Sequence, residues 1–392
     1  MKRIGGAAVA AMLVLGLAAC TPSEGRPTAS PTKSASPEPS ATAKPTAPVS
    51  SYGFGCENLV PQDVVVTALA PAVTLEPSFA DPSSANPLLW AANSLGGLHC
   101  TWSNGESRNQ SEGGTPLGTE RWAEITILPG SHADWDAYFE RWANGVSGPW
   151  PDSTTLSCFT QNGSVLGVCS INFLVGDSWV DLIIYGPADN AAASDEDAVE
   201  AVTPFIEAIR AALEPVGTAP RYAWGGTTPG ANALPTDCEA FVPAEAMSEA
   251  LGQELAYSWA PKKRLWNRGV AADDFGAPDC IFSLPDSDSA RGVLRALPGG
   301  RWAYEQLLES RMTAGTDIEI VTIDGLGARD AFLECSTSPW ATCSLQLAVA
   351  GHWLQVQVDN ESSLDGIYGV DELGQQALAY AELAAASITA RP

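Results

Sequence analysis

The chain has 392 residues, with 46 acidic against 20 basic side chains and a net charge of −26. Both halves share the excess: residues 56–217 carry four basic and 21 acidic residues, and residues 218–392 carry 11 and 23. A surface of that sign repels polyanions, which sets aside DNA, RNA and anionic lipid headgroups as direct partners.

The first predicted element, residues 1–19, is a signal sequence. Lys2 and Arg3 precede an apolar run from Ile4 to Leu17, too short for a comfortable membrane span, and "LAAC" (Leu17 to Cys20) follows. Small residues ahead of a cysteine form the lipobox variant, and the segment resembles the leaders of bacterial lipoproteins. That resemblance implies acylation of Cys20, as with palmitate. No later stretch reaches the roughly 20 apolar residues of a membrane helix, so the lipid would be the sole link to the membrane. The expected place is the outer face of the cytoplasmic membrane, in the cell envelope.

Residues 20–51 are rich in Pro, Ser, Thr and Ala, with no large apolar side chain. Such a segment cannot offset its ordering entropy by burial, and reads as a disordered tether with a reach of roughly 90 Å. "SPTK" (Ser30 to Lys33) matches the Ser-x-x-Lys acyl-enzyme pattern, but a disordered segment cannot position a base.

Eight cysteines remain after Cys20: Cys56, Cys100, Cys158, Cys169, Cys238, Cys280, Cys335 and Cys343. Their successive gaps are 44, 58 and 11, then 69, then 42, 55 and 8, which is one four-cysteine unit used twice. Flanking residues agree: "CENLVPQDVVVTAL" aligns with "CEAFVPAEAMSEAL", and "CSINFLVGDSWVDLII" with "CSLQLAVAGHWLQVQV". Two homologous domains are expected, at 52–217 and 237–392, joined by a linker at 218–236. Asn162-Gly163 signals a hairpin between Cys158 and Cys169. First-to-second and third-to-fourth disulfides are therefore expected in both copies, as export to an oxidising compartment permits.

Within a unit, the first cysteine precedes Pro61 or Pro243, and proline is well tolerated in a first helical turn. Met247 and Leu251 then share one helical face. A short strand carries the second cysteine, and a second strand follows ("AEITIL", "GVLRAL"). In copy one, Ser131 and Asp134 can cap a helix that places Trp135, Phe139 and Trp142 together. Three strands come next, the last two a hairpin with Ile171, Phe173 and Val175 alternating. A terminal helix carries Ala198, Val202, Phe205, Ile209 and Leu213 in copy one, and spans Asp371 to Ser387 in copy two. The order α-β-β-α-β-β-β-α predicts an α+β fold, each domain an antiparallel sheet flanked by helices.

These motifs resemble actinobacterial cell-envelope lipoprotein domains of unknown function: a Cys-x-x-[Leu/Phe] helix start, a Cys-x-[Trp/Phe] strand, a Gly-Leu-Gly turn and a late cysteine hairpin. The plan is similar to the extracellular sensor domain of a mycobacterial serine/threonine kinase, with two disulfides and a cleft beside the sheet. The resemblance implies a binding or sensing module without catalytic residues. "IDGLGARDAF" (Ile323 to Phe332) carries the Gly-Leu-Gly turn in copy two, and copy one lacks it.

Few residues suggest chemistry. "YAWGGTTPGANALPTDCEAFV" resembles the opening of NlpC/P60 cell-wall peptidases, with Cys238 as the nucleophile. Glu239-Ala240 stands where that family has Ser-Gly, however, and His352 is the only later histidine. Asp177 and Ser178 in "VGDSW" are read as turn residues. His99, His132 and His352 lie far apart, so no metal or cofactor is expected. "KKRLWNR" is a basic island in an acidic chain, and Lys262, Lys263, Arg264 and Arg268 form a candidate partner patch. Trp90, Trp150, Trp224, Trp259, Trp266 and Trp340 fall in loop-like segments and are candidates for a binding surface. The expected function is a non-catalytic, lipid-anchored envelope protein that binds a ligand or protein partner. The alternatives are the cysteine peptidase and a structural scaffold.

Overall fold

Proline sets the start of each unit. Pro61 and Pro243, at φ −57° and −56°, stand immediately ahead of α1 (Gln62–Ala68) and α6 (Ala244–Leu251), as N-caps rather than inside the first turn. The computed structural model describes residues 47–80, 82–105, 121–142, 154–160, 167–186, 195–222, 224, 234–235, 237–257, 266–285, 290–337, 341–359 and 369–390. The expected signal sequence, Cys20, most of the expected tether, and Lys262, Lys263 and Arg264 lie outside these residues.

The first half continues from α1 through β1 (Thr74–Leu75), a 3-10 turn (Pro87–Trp90), α2 (Ala91–Ser94), β2 (Leu98–Ser103), β3 (Trp122–Leu128) and α3 (His132–Trp142). It ends with β4 (Thr154–Thr160), β5 (Gly167–Val175), β6 (Ser178–Tyr185) and α4 (Asp195–Leu213). The second half runs α5 (Cys238–Phe241), α6, β7 (Ala256–Tyr257), α7 (Asn267–Phe275), β8 (Asp279–Ser283), β9 (Ala290–Leu297) and α8 (Arg301–Ala314). Then come β10 (Glu319–Ile320), β11 (Ala331–Ser336), β12 (Thr342–Val349), β13 (His352–Asp359) and α9 (Val370–Thr389). The expected order is present in each half. Added to it are two-residue strands (β1, β7 and β10) and the helices α2 and α7, too short or too weakly patterned to show a period.

Both sheets are antiparallel and share one strand order. Read from the same end, they run β1-β2-β3-β6-β5-β4 and β7-β8-β9-β13-β12-β11-β10. Register agrees as well: Trp179 on β6 faces Leu128, and Trp353 on β13 faces Leu297. The repeated cysteine spacing therefore marks a repeated fold.

Alternation gives each sheet two different faces. On one, Val180, Leu182 and Ile184 bury against Val65 of α1 and Val202, Phe205 and Ile209 of α4. In the second half Leu354, Val356 and Val358 bury against Leu373, Ala377 and Tyr380 of α9. Each fully buried aliphatic side chain contributes roughly 1.5–3 kcal/mol.

The other face joins the halves. Helix α7 of the second half lies on β3 and β6 of the first, the 3-10 turn before α2 lies on β9 and β13 of the second, and α2 packs on α7. One apolar cluster results, with Trp90, Leu95 and Trp179 from the first half and Val270, Trp302 and Trp353 from the second. Phe79 reaches into it at φ +70° and is 2% exposed. Its ring stacks on Trp90 at 3.9 Å, and its carbonyl accepts from Ser310 Oγ and Arg311 Nη1, both at 3.0 Å. Residues Lys44–Pro392 accordingly form one compact unit.

Cys56–Cys100 and Cys238–Cys280 tie the helix starts to β2 and β8, each with Cα atoms 5.6 Å apart. Cys335–Cys343 links opposed residues of β11 and β12. Cys169 is disulfide-bonded and stands opposite Cys158 across β4 and β5; the side chain of Cys158 lies outside those described.

Candidate binding cleft

A cleft of about 690 Å³ opens where α9 stops short of covering the sheet edge in the second half. Its walls follow from two periodicities. Around β10, Asp317, Glu319 and Val321 face it at every second position; Leu333 and Cys335 on β11 and Thr337 just past its end do the same. From α9, Val370, Gly374 and Leu378 line it at every fourth position, with Asp371 and Gln375 one step round the helix. Gly374 is what lets the helix sit this low: a Cβ there would meet Leu333 Cδ2 at 3.2 Å and the Cys335 and Cys343 sulfurs at 4.0 Å.

The floor is apolar and the rim acidic. Val321, Leu333, Cys335, Val370 and Leu378 are half-buried, while Asp317, Glu319, Asp371 and Gln375 are exposed. Among the described residues, none of the three carboxylates takes part in an ion pair. No Lys, Arg or His is among the described residues that line the cleft. At this volume it falls in the range of ligand sites, with polar groups that can orient an occupant around an apolar body.

Two other concavities are occupied by structural work. A cavity of about 380 Å³ beside Cys56–Cys100 is walled by Trp90 and Phe79, whose rings join the halves. His99 lines it, buried, with Nδ1 3.2 Å from Thr126 Oγ1 and its ring edge on Trp90. At the equivalent position of the second half, Asp279 pairs with Arg295 at 3.1 Å. A groove of about 660 Å³ runs along α8 beside the Gly-Leu-Gly turn. There Arg301 is held by Glu305 at 3.0 Å and Asp330 at 2.8 Å, while Asp330 also accepts from the Gly327 N–H. The turn thus locks its own loop to α8.

Several expected surface residues turn inward. Arg268 does not join an exposed patch: it crosses to the first half, where Nη1 lies 2.5 Å from Glu124 Oε1 and Nε lies 3.6 Å from Asp181 Oδ2. Asp181 also accepts from Asn172 at 3.3 Å. Burial pushes its carboxyl above the usual range, and the Arg268 charge opposes that shift. Trp90 is not a loop aromatic but is 3% exposed at the junction of the halves. Trp224 is half-buried and Trp266 is exposed; Trp150, Trp259 and Trp340 lie outside the described residues.

The peptidase constellation is not assembled. Cys238 is bonded to Cys280, so its sulfur is no thiolate in this form. His352 is buried, and its Nδ1 accepts from the Gly299 N–H at 3.0 Å. Tyr257 and Tyr380 meet hydroxyl to hydroxyl at 3.0 Å beneath α6, and burial pushes the Tyr257 phenol up to about 12, so it is a neutral structural group. The described residues hold no His, Cys, Asp and Glu group able to bind a metal ion.

No family model matches the chain, and no curated protein does. The crystal structure of DynU16, a protein of the dynemicin biosynthetic locus, aligns over 81% of this chain and 96% of its own, at 10% identity and a TM-score of 0.13. The di-domain ARO/CYC StfQ from the steffimycin biosynthetic pathway aligns over 81% and 97%, at 9% identity and a TM-score of 0.17. Likeness at those scores bears on neither fold nor function.

Proposed function

We propose that this chain is a non-catalytic, lipid-anchored cell-envelope protein that takes a ligand or partner segment in the cleft between α9 and the β10–β11 edge. The cleft carries the reading: a half-buried apolar floor with exposed carboxylates around it is unfinished until something covers it. Sequence supports the setting. The "LAAC" leader places Cys20 for acylation, and the Pro/Ser/Thr-rich tether holds the folded part clear of the outer membrane face. Among the described residues no helix is long and apolar enough to cross a membrane. With Cys238 tied to Cys280, a thiol nucleophile has no support, and this favours binding over hydrolysis.

Methyl-resolved nuclear magnetic resonance of the full chain in detergent micelles tests the reading against fractions of envelope extract. Resonances of Val321, Leu333, Val370 and Leu378 should shift together, while those of Leu182 and Val202, in the core of the other half, stay fixed. Floor resonances that ignore every fraction, or that move only with the core, would reject the cleft as the binding site.

A further inference from the structure

The geometry points to a short, extended, lysine- or arginine-bearing peptide as the occupant of the α9/β10–β11 cleft; this rests on the cleft being the binding site.

Three features select that chemistry. Charge is the first: Asp317, Glu319 and Asp371 rim the cleft with no basic residue among its described lining, so a cationic occupant gains from all three and an anionic one is repelled. The floor is the second. Val321, Leu333 and Leu378 offer half-buried apolar surface, which suits the aliphatic stem of a lysine or arginine while the charged head reaches the rim. A compact inorganic cation uses only the rim.

The sheet edge is the third. Among the described residues, strand β10 is outermost in its sheet and pairs with β11 alone. Its outer backbone groups can therefore accept another extended strand, whose alternate side chains would project over the same cleft as Asp317, Glu319 and Val321. Ile320, on the opposite face of β10, is 41% exposed and would gain cover from such a strand. Inward-facing charge on an edge strand also discourages sheet-to-sheet association, and the test separates that role from recognition.

The test measures fluorescence anisotropy of three labelled probes with the full chain in detergent: the peptide Lys-Thr-Lys-Thr-Lys-Thr, its glutamate counterpart, and spermine. Two variants accompany them. One is D317N/E319Q/D371N, which removes the rim charge at exposed positions. The other, Q375W, fills the cleft from an exposed position on α9, and intact unfolding transitions in both serve as the folding control. The lysine peptide should bind and weaken with salt. Its affinity should drop about tenfold in the triple variant, as three partly exposed ion pairs allow, and fall further in Q375W.

Equal lysine-peptide affinity across the three proteins would overturn the proposal, because general attraction to an acidic chain would then explain it. So would spermine responding to both variants as strongly as the peptide. A triple variant that self-associates by light scattering while binding the peptide unchanged assigns the carboxylates to edge protection, and also overturns it. If the lysine peptide fails but the glutamate peptide binds and Q375W abolishes that binding, the cleft stands and the cationic assignment falls. If no probe responds to Q375W, both fall.

Discussion

Trp179 and Trp353 make the same hydrogen bond in the two halves: each indole N–H donates to an amide oxygen seven residues earlier, Asn172 Oδ1 at 2.9 Å and Gln346 Oε1 at 2.8 Å. Both rings are fully buried and both amides nearly so, and each amide nitrogen donates onward, Asn172 to Asp181 and Gln346 to Ser344. Trp179→Phe and Trp353→Phe each strand one buried amide oxygen. The expected loss is about 1–3 kcal/mol apiece, with the two values within about 1 kcal/mol of each other. Denaturant unfolding of the two single variants checks this; a large loss at one site and none at the other would contradict the equivalence.

Arg268 neutralises carboxylates that the first half buries. Arg268→Ala leaves Glu124 and Asp181 without that cation, and the expected destabilisation at neutral pH is about 3–5 kcal/mol. The pH dependence has a defined sign. Asp181 titrates higher folded than unfolded, so its contribution to stability is greatest in acid and is lost as pH rises through the folded value. Removing Arg268 takes away the charge that holds this shift back. The penalty of Arg268→Ala should therefore shrink between pH 7 and pH 4, in paired unfolding curves.

Phe79 combines a buried ring with a left-handed backbone. Phe79→Ala should cost about 3–5 kcal/mol through the lost stacking on Trp90 and the cavity left between the halves. Glycine removes the same ring but adopts positive φ freely, so Phe79→Gly should be about 1 kcal/mol more stable than Phe79→Ala. An alanine variant more stable than the glycine one would show that the backbone there carries no strain.

The disulfides should rank by the length of chain they close. Cys238–Cys280 spans 42 residues and Cys335–Cys343 spans 8. Chain entropy assigns about 4 and about 2.5 kcal/mol to them. Double serine replacements, compared by urea unfolding, should reproduce that order. In the oxidised protein, mass spectrometry after alkylation should find Cys238 unmodified.

How far the sequence could be read follows from where each signal sits. The cysteine gaps carried the duplication because both copies keep the same spacing within a few residues, while the pairing was read from the Asn162-Gly163 turn, which brings the last two cysteines of a unit onto neighbouring strands. Strands such as Ile171–Val175 were legible because one face is apolar along several alternating residues. Trp90 was not. Its 3-10 turn looks like a loop, and its cover comes from residues distant in sequence, Phe79 and His99 in the same half and Trp302 in the other. Arg268 misled for a related reason: a basic run in an acidic chain reads as solvated, while its partners Glu124 and Asp181 lie far back in sequence. The residues that line the cleft were not legible, because Asp317, Glu319 and Val321 flank a two-residue strand, too short to show alternation, and their opposing wall arrives some fifty residues later on α9.

The crossing of α2 and α7 has an evolutionary consequence. Each repeat lends a helix to the other, so neither possesses a finished surface, and the arrangement is an intramolecular counterpart of an isologous twofold dimer. An ancestor encoding one repeat would have had to meet a second copy of itself to hide its tryptophans. Carried on one chain, the two repeats meet at a fixed effective concentration, and the outer edge of one repeat, where β10 and α9 leave their cleft, takes no part in that junction.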